Sequence, residues 1–241
     1  MADLVIHSII FGYGHRARSG KDTAAAMVKA ERGNTIPRRD DPFRGWYDIR
    51  IYSFAGELKR EVNENAMKSG GMVKLFDAGL YEEGGGFLQE NGNILRLPEW
   101  VQYDPQPSME DPDCPYGKQR ELLQWWGTEF RRSVNPKYWV NKVAERIAEE
   151  KPEIALITDV RFLNEIAFVQ KYGEAIKVDR PCLPQLAGMA GVHSSEAALA
   201  GFDGWDDCIT NDSTLEEFRE RVLFSFDMLM STHPAQRPAL Q

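Results

Sequence analysis

Ser19-Gly20-Lys21-Asp22-Thr23 places a glycine and a lysine where an apolar run ends and an alanine-rich helical run begins. A helix N-terminus presents backbone N–H groups that have no intrahelical partner, and a lysine beside them adds a full positive charge. That combination binds phosphate. Two features depart from the usual loop. A phosphate-binding loop of this kind has four residues between its first glycine and the Gly-Lys pair, whereas five separate Gly14 from Gly20. The position after the lysine, where a Ser or Thr hydroxyl ordinarily meets Mg2+, holds Asp22, with Thr23 following. A carboxylate there would hold the metal directly or through a water. The candidate polyphosphate contacts are thus Gly14, Arg18, Ser19, Gly20, Lys21, Asp22 and Thr23. The plainer reading is a glycine turn capping an ordinary helix, with Arg16 and Arg18 as solvated charge.

Ile154 to Thr158 is an apolar run that ends in Asp159, and Arg161 follows two residues later. A carboxylate at a strand end can hold Mg2+, or it can cap a helix. Both uses are compatible. Further along, Arg120, Gln124 and Gly127-Thr128 recur at close to helical spacing, which puts them on one face. Arg131, Arg132, Trp125, Trp126 and Trp139 lie close by in sequence. Arginine grips phosphate bidentately and an aromatic ring offers a stacking surface for a base. The alternative is an amphipathic helix with surface arginines. His193-Ser194-Ser195-Glu196 reads more simply as a helix cap than as a reactive group, and no Ser/His/Asp or Cys/His pattern calls for a covalent nucleophile.

These residues need a frame to bring them together. Leu4 to Phe11, Ile49 to Phe54, Ile154 to Thr158, Ala175 to Val178 and Cys208 to Thr210 read as strands. Helices are expected over 21–32, 55–68, 118–132, 136–149, 161–172 and from Thr214 to about Leu229. Asn135 should cap the helix that opens with Pro136, and Ser213 with Glu216 should form a capping box for the last. The alternation predicts an α/β three-layer sandwich, a central parallel sheet of about five strands with helices on both faces. Ligands in such sheets sit beyond the carboxyl ends of the strands. Asp159, Arg161, Asn211 and the glycine loop all fall there. The chain is expected to be one domain over 1–241, with an inserted segment 69–117 and a lid-like segment 181–206. Asn91-Gly92 between two β-prone runs predicts a hairpin within the insertion. The lid-like segment carries no Arg or Lys, so any cation on a transferring phosphate must come from elsewhere.

Composition narrows the classes. The net charge of −8 argues against a nucleic-acid partner, which would need a basic face. Nine Asp and Glu against Lys74 and Arg96 within 69–117 account for most of that excess, so the remainder is near neutral and suits a compact anionic ligand. Cys114, Cys182 and Cys208 have no paired spacing, so neither a zinc site nor a disulfide framework is indicated, and they suit a reducing compartment. The apolar stretch Leu4 to Phe11 is too short to span a bilayer and has no basic flank. A cytoplasmic protein is expected, with no membrane partner and with a homodimer as one admissible assembly.

In order along the chain, several motifs resemble those of bacteriophage deoxynucleoside monophosphate kinases, a P-loop family. They are Ser19 to Thr23, Ser53-Phe54-Ala55 to Leu58-Lys59, Arg120 to Arg132 with Gly127-Thr128-Glu129, and Tyr138-Trp139-Val140. Thr158-Asp159-Val160-Arg161 with Asn164-Glu165, Arg180-Pro181, His193 to Glu196, and Ile209 to Asp212 running into Leu215 continue the series. Asp22 after the lysine is a familiar feature of that family; the extra loop residue and the acidic insertion are not. The resemblance implies Mg2+-dependent transfer of the ATP γ-phosphoryl group to a deoxynucleoside monophosphate (dNMP), in the host cytoplasm if the chain is phage-encoded. It implies Lys21, Arg132, Arg161 and Arg180 as catalytic, and Asn211 with the loop as ATP-binding. Lys59, Arg120, Gln124, Gly127, Thr128, Arg132 and Trp139 would bind the acceptor, and Asp22 and Asp159 the metal. The alternatives are a kinase for another small phosphorylated metabolite, such as phosphomevalonate or dephospho-coenzyme A, and an ATP-binding regulator without turnover.

Overall fold

The computed structural model of the protein describes residues 4–33, 47–68, 72–74, 85–88, 94–101, 119–181, 198–199 and 201–233. They fall into two compact units, one of Met1–Phe54 with Val140–Gln241 and one of Ala55–Trp139.

The first unit is built on a five-stranded sheet of β1 (Ile9–Gly14), β2 (Ile49–Tyr52), β6 (Ile154–Val160), β7 (Gly173–Asp179) and β8 (Asp207–Thr210). Its order is β2-β6-β1-β7-β8 and every pair is parallel. β1 lies in the middle with the consecutive strands β6 and β7 on either side, so the strand order reverses at β1. A crevice opens at the carboxyl ends at such a point. Strand alternation sends Ile9, Phe11 and Tyr13 to one face. There they pack with Ala24, Ala25 and Val28 of α1 (Lys21–Arg32) and with Phe218, Val222 and Phe226 of α6 (Leu215–Thr232). Phe11 and Phe226 stand 5.1 Å apart between ring centroids. On the other face, Gly12 lies against Val169 of α5 (Leu163–Tyr172). The expected α/β sandwich with a five-stranded parallel sheet is what the chain forms.

Several boundaries move. β1 begins at Ile9 rather than Leu4 and runs through Gly12 to Gly14, because it pairs with β6 on one side and β7 on the other. β6 continues to Val160, so Asp159 is within the strand and not beyond it. α6 is capped by Thr214 and Glu217, one residue after the expected pair: the Glu217 N–H donates to Thr214 Oγ1 at 3.3 Å, and the Thr214 N–H to Glu217 Oε2 at 3.2 Å. Asn135 does shape its helix start, accepting the Lys137 N–H at 3.0 Å, but α4 opens at Tyr138 (Tyr138–Glu150).

The second unit holds α2 (Phe54–Lys68, from its second residue), a small antiparallel sheet and the segment after it. β3 (Met72–Lys74), β4 (Gly85–Leu88) and β5 (Ile94–Arg96) make that sheet, and Leu88 pairs with Ile94 across the expected hairpin. Asn91-Gly92, residues 182–197 of the lid-like segment and His193 to Glu196 lie outside the described residues. The helix expected over 118–132 is α3 only for Arg120–Gln124; from Trp125 to Arg132 it widens to a π-helix. No helix among the described residues is long and apolar enough to cross a membrane.

One ion cluster ties β2 to α4. Glu150 accepts from Arg50 at 3.0 Å, from the Tyr52 hydroxyl at 2.9 Å and from Arg146 at 2.7 Å. Burial pushes its carboxyl up, but these donors outweigh it and hold it down to about 2. A carboxylate held below its ordinary value stabilises the fold at neutral pH and loses that contribution as pH falls from about 4.5 toward about 2. Glu150→Gln should therefore melt below the wild type at neutral pH, with the gap closing across that window. Thermal unfolding against pH reads it; a gap independent of pH would refute the assignment.

Candidate active site

The loop from Gly14 to Gly20 leaves the end of β1 at the switch point of the sheet. Gly14 has no room for a side chain, since a Cβ would sit 2.4 Å from the Trp205 ring and 2.9 Å from the Val160 carbonyl. Gly20 has φ +107 and caps α1 without any side-chain hydrogen bond. Gly20 therefore places no side-chain acceptor over the first turn of α1. Lys21, its first residue, is 4% exposed and donates from Nζ to the Arg16 carbonyl at 2.5 Å. The lysine lies back along its own loop.

The loop's spacing is explained by His15. Counting four residues back from Gly20 and stepping to the next lands on His15, not Gly14, and His15 has φ +98. A histidine thus stands, in a conformation that favours glycine, where the motif has its first glycine. Gly14 is needed for contact with Trp205 instead. The signal was in the sequence as a count. His15 Nδ1 is buried without a hydrogen bond among the described residues and lies 3.5 Å from Asp179 Oδ1. Burial lowers the imidazole's pKa, Lys177 lowers it further, Asp179 opposes this, and Arg16 and Lys21 add to the lowering. The strain of such a backbone is about 1–3 kcal/mol, and glycine's extra unfolded freedom returns up to about 1 kcal/mol of any relief. His15→Gly is expected to raise the melting temperature by about 2–4 °C. A fall would mean that the Asp179 contact outweighs the strain.

Ser19 is fully buried, with its Oγ lacking a partner among the described residues. Its carbonyl accepts the Asn211 side-chain N–H at 2.8 Å, and the Asn211 backbone N–H donates to the Asp179 carbonyl at 2.7 Å. Asn211 thus fastens the loop to the ends of β7 and β8. Arg16, Arg18, Asp22 and Thr23 are exposed.

Asp159 is half-buried in β6. Its Oδ1 accepts the N–H of Phe54, the first residue of α2, at 2.8 Å, and its Oδ2 accepts the Ser53 hydroxyl at 3.2 Å. The capping alternative is realised, but on α2 and not on the helix that follows Asp159. The turn after β6 is instead held by Glu165, 1% exposed, which accepts the N–H groups of Arg161 at 2.7 Å and Phe162 at 3.1 Å. Arg161 is half-buried there, and Arg180 is exposed just past the end of β7.

Asp159, near the carboxyl end of β6, and Asp22, in the first turn of α1, are the carboxylates expected to meet the metal. No three His, Cys, Asp or Glu side chains converge among the described residues. Mg2+ needs no such cluster, since one or two carboxylates with phosphate oxygens and water complete its shell. The donor set fits that ion.

In the second unit, Lys59 and Arg120 are exposed, and Gln124, Thr128 and Arg132 are half-buried. The π-helix changes the phase after Trp125, so the single face expected for Arg120, Gln124 and Gly127-Thr128 does not continue at α-helical spacing. Gly127 packs against Leu58, and its carbonyl accepts the Trp139 indole N–H at 3.0 Å. Trp139 is 1% exposed, as is Trp126, and Trp125 is 8% exposed. Trp139 is therefore a core residue that holds Gly127 rather than a surface for a base; the tryptophans pack on one another and on their neighbours. Sequence reading passed over Glu61, to which Trp126, Arg131 and Tyr138 all donate.

No family model matches the chain. A protein of Acanthamoeba polyphaga mimivirus named as a deoxynucleotide monophosphate kinase is 28% identical over 142 residues, 52% of this chain and 70% of that one. The deoxynucleoside-5'-monophosphate kinase of Escherichia phage T5 is 26% identical over 175 residues, 66% of this chain and 70% of its own length. Among solved structures, the dephospho-CoA kinase of Campylobacter jejuni aligns with a TM-score of 0.46 at 12% identity, over 92% of this chain and 98% of that one. With a glycine loop that leads into α1 at the switch point of its parallel sheet, the chain is an α/β kinase and a homologue of the viral proteins named deoxynucleoside monophosphate kinases.

Proposed function

We propose that the protein transfers the γ-phosphoryl group of ATP to a deoxynucleoside monophosphate, giving a deoxynucleoside diphosphate and ADP, with Mg2+. The observation that carries the reading is the N-terminus of α1, capped by Gly20 with no side-chain bond, with Lys21 lying along the loop before it. The similarity to the two viral kinases supports the choice of acceptor.

The acceptor is an ionised phosphate, so the reaction needs no strong general base. Alignment and charge neutralisation do the work. The N–H groups of Gly20 to Thr23 cradle the donor's phosphates and the Lys21 ammonium draws charge from the β- and γ-oxygens. Asn211 contributes by holding the Ser19 carbonyl and so the curvature of the loop. Asp22 and Asp159 are the carboxylates that would hold Mg2+, which would offset the charge of the donor's phosphates. Arg161 and Arg180 stabilise the transferring group, Arg18 contacts the donor, and Arg120 and Arg132 grip the acceptor phosphate. Lys59, Gln124 and Thr128 complete the acceptor contacts.

Release of ADP measured over a panel of deoxynucleoside monophosphates, ribonucleoside monophosphates, phosphomevalonate and dephospho-coenzyme A tests the proposal. Acceleration by at least one deoxynucleoside monophosphate above the rest is the expected result. Acceleration by another acceptor alone would reassign the substrate, and tight ATP binding with no acceptor-dependent rate would make the chain a regulator.

A further inference from the structure

We infer that Arg131 is an anchor for the acceptor's phosphate and that Glu61 is the positioning residue that aims it; this rests on the reading of the chain as a deoxynucleoside monophosphate kinase. Arg131 Nε donates to Glu61 Oε1 at 2.6 Å. The same oxygen accepts the Trp126 indole N–H at 2.9 Å, and Oε2 accepts the Tyr138 hydroxyl at 2.6 Å. The guanidinium carbon lies 4.5 Å from the Phe130 ring centroid, 5.0 Å from Tyr138 and 5.5 Å from Trp126. Trp126 and Arg131 are five residues apart, a spacing that π-helical winding brings together.

A surface arginine ordinarily samples many rotamers. This one is pinned by a carboxylate at Nε and by three rings, yet its side chain is 29% exposed. Among the described residues its two Nη nitrogens donate to no acceptor. The edge between those nitrogens is the one that matches two phosphate oxygens at once. Trp126 and Tyr138 occupy the Glu61 oxygens, which are 13% exposed with their side chain, so the carboxylate's repulsion of an anion is muted. The result is a rigid, partly desolvated fork in the same segment as Arg120, Gln124, Thr128 and Arg132. A latch that only stabilised the π-helix would need neither free Nη donors nor exposure.

Steady-state kinetics of Arg131→Lys and Glu61→Gln, each with a melting curve, decide it. Lysine keeps the charge and loses the fork, so the KM for the deoxynucleoside monophosphate should rise on the order of tenfold. The KM for ATP should stay within about twofold of wild type. Glu61→Gln keeps the bulk and an acceptor oxygen but loosens the guanidinium, and a smaller rise in the same KM is expected, about threefold. Wild-type acceptor KM in both variants, whatever their melting temperatures, makes the cluster a structural latch and overturns the inference alone. If the wild type phosphorylates no deoxynucleoside monophosphate, the underlying reading falls and this inference with it.

Discussion

Replacing Lys21 with alanine is expected to lower kcat by roughly 10²–10³, the loss seen when one preorganised donor to a developing charge is removed. Lys21 is in position before any substrate arrives: it is 4% exposed and its ammonium is hydrogen-bonded to the Arg16 carbonyl of the same loop. A charge held at low dielectric acts more strongly on a phosphate than one in water, and it need not be reorganised during the reaction. Alanine also removes a buried ammonium, so the variant should melt close to the wild type. The measurements are acceptor-dependent ADP release and thermal unfolding on the same preparation. A kcat within about tenfold of wild type would take the donor site away from this loop.

Asp159→Asn should reduce activity on the order of 10–100-fold and raise the Mg2+ concentration needed for half-maximal rate. The amide is chosen because it separates two duties of one side chain. Its oxygen can still accept the Phe54 N–H, and its NH2 can donate to the Ser53 oxygen, so the start of α2 keeps its cap. What is lost is the negative charge, which a bound Mg2+ would require. A capping role alone predicts the reverse pattern, with rate and Mg2+ dependence near wild type and a lower melting temperature, because a charged cap complements the helix dipole better than a neutral one. Titrating Mg2+ at saturating substrates, beside a melt, tells the two apart.

His15 shows how much of the site was within reach of counting. The position of the missing first glycine is fixed by Gly20, and stepping back along the chain identifies His15 without any coordinates. What could not be read is that its backbone takes φ +98 and that Asp179 and Lys177 crowd its ring. Those neighbours come from the end of β7, distant in sequence and adjacent only because β1 and β7 pair. Glu61 is the more instructive omission. On a helix expected from local pattern it is one acidic residue among several. Its importance arises from three donors that reach it from 65 to 77 positions away.

The sequence by itself determined the parallel sheet and the strand–loop–helix that carries Ser19 to Thr23. Each depends on short-range rules: apolar runs that make buried strands, glycines that permit tight turns, and exposed N–H groups at a helix start. Tertiary structure alone decided which way Asp159 caps, that Trp139 is core and not a platform, and that Arg131 is aimed by Glu61. It also replaced an α-helix with a π-helix from Trp125 onward, where stacking of Trp125 on Phe130 at 5.3 Å and the burial of Trp126 outweigh local helical preference. Such outcomes are set by which partner lies opposite a side chain, and no window of neighbouring residues contains that partner.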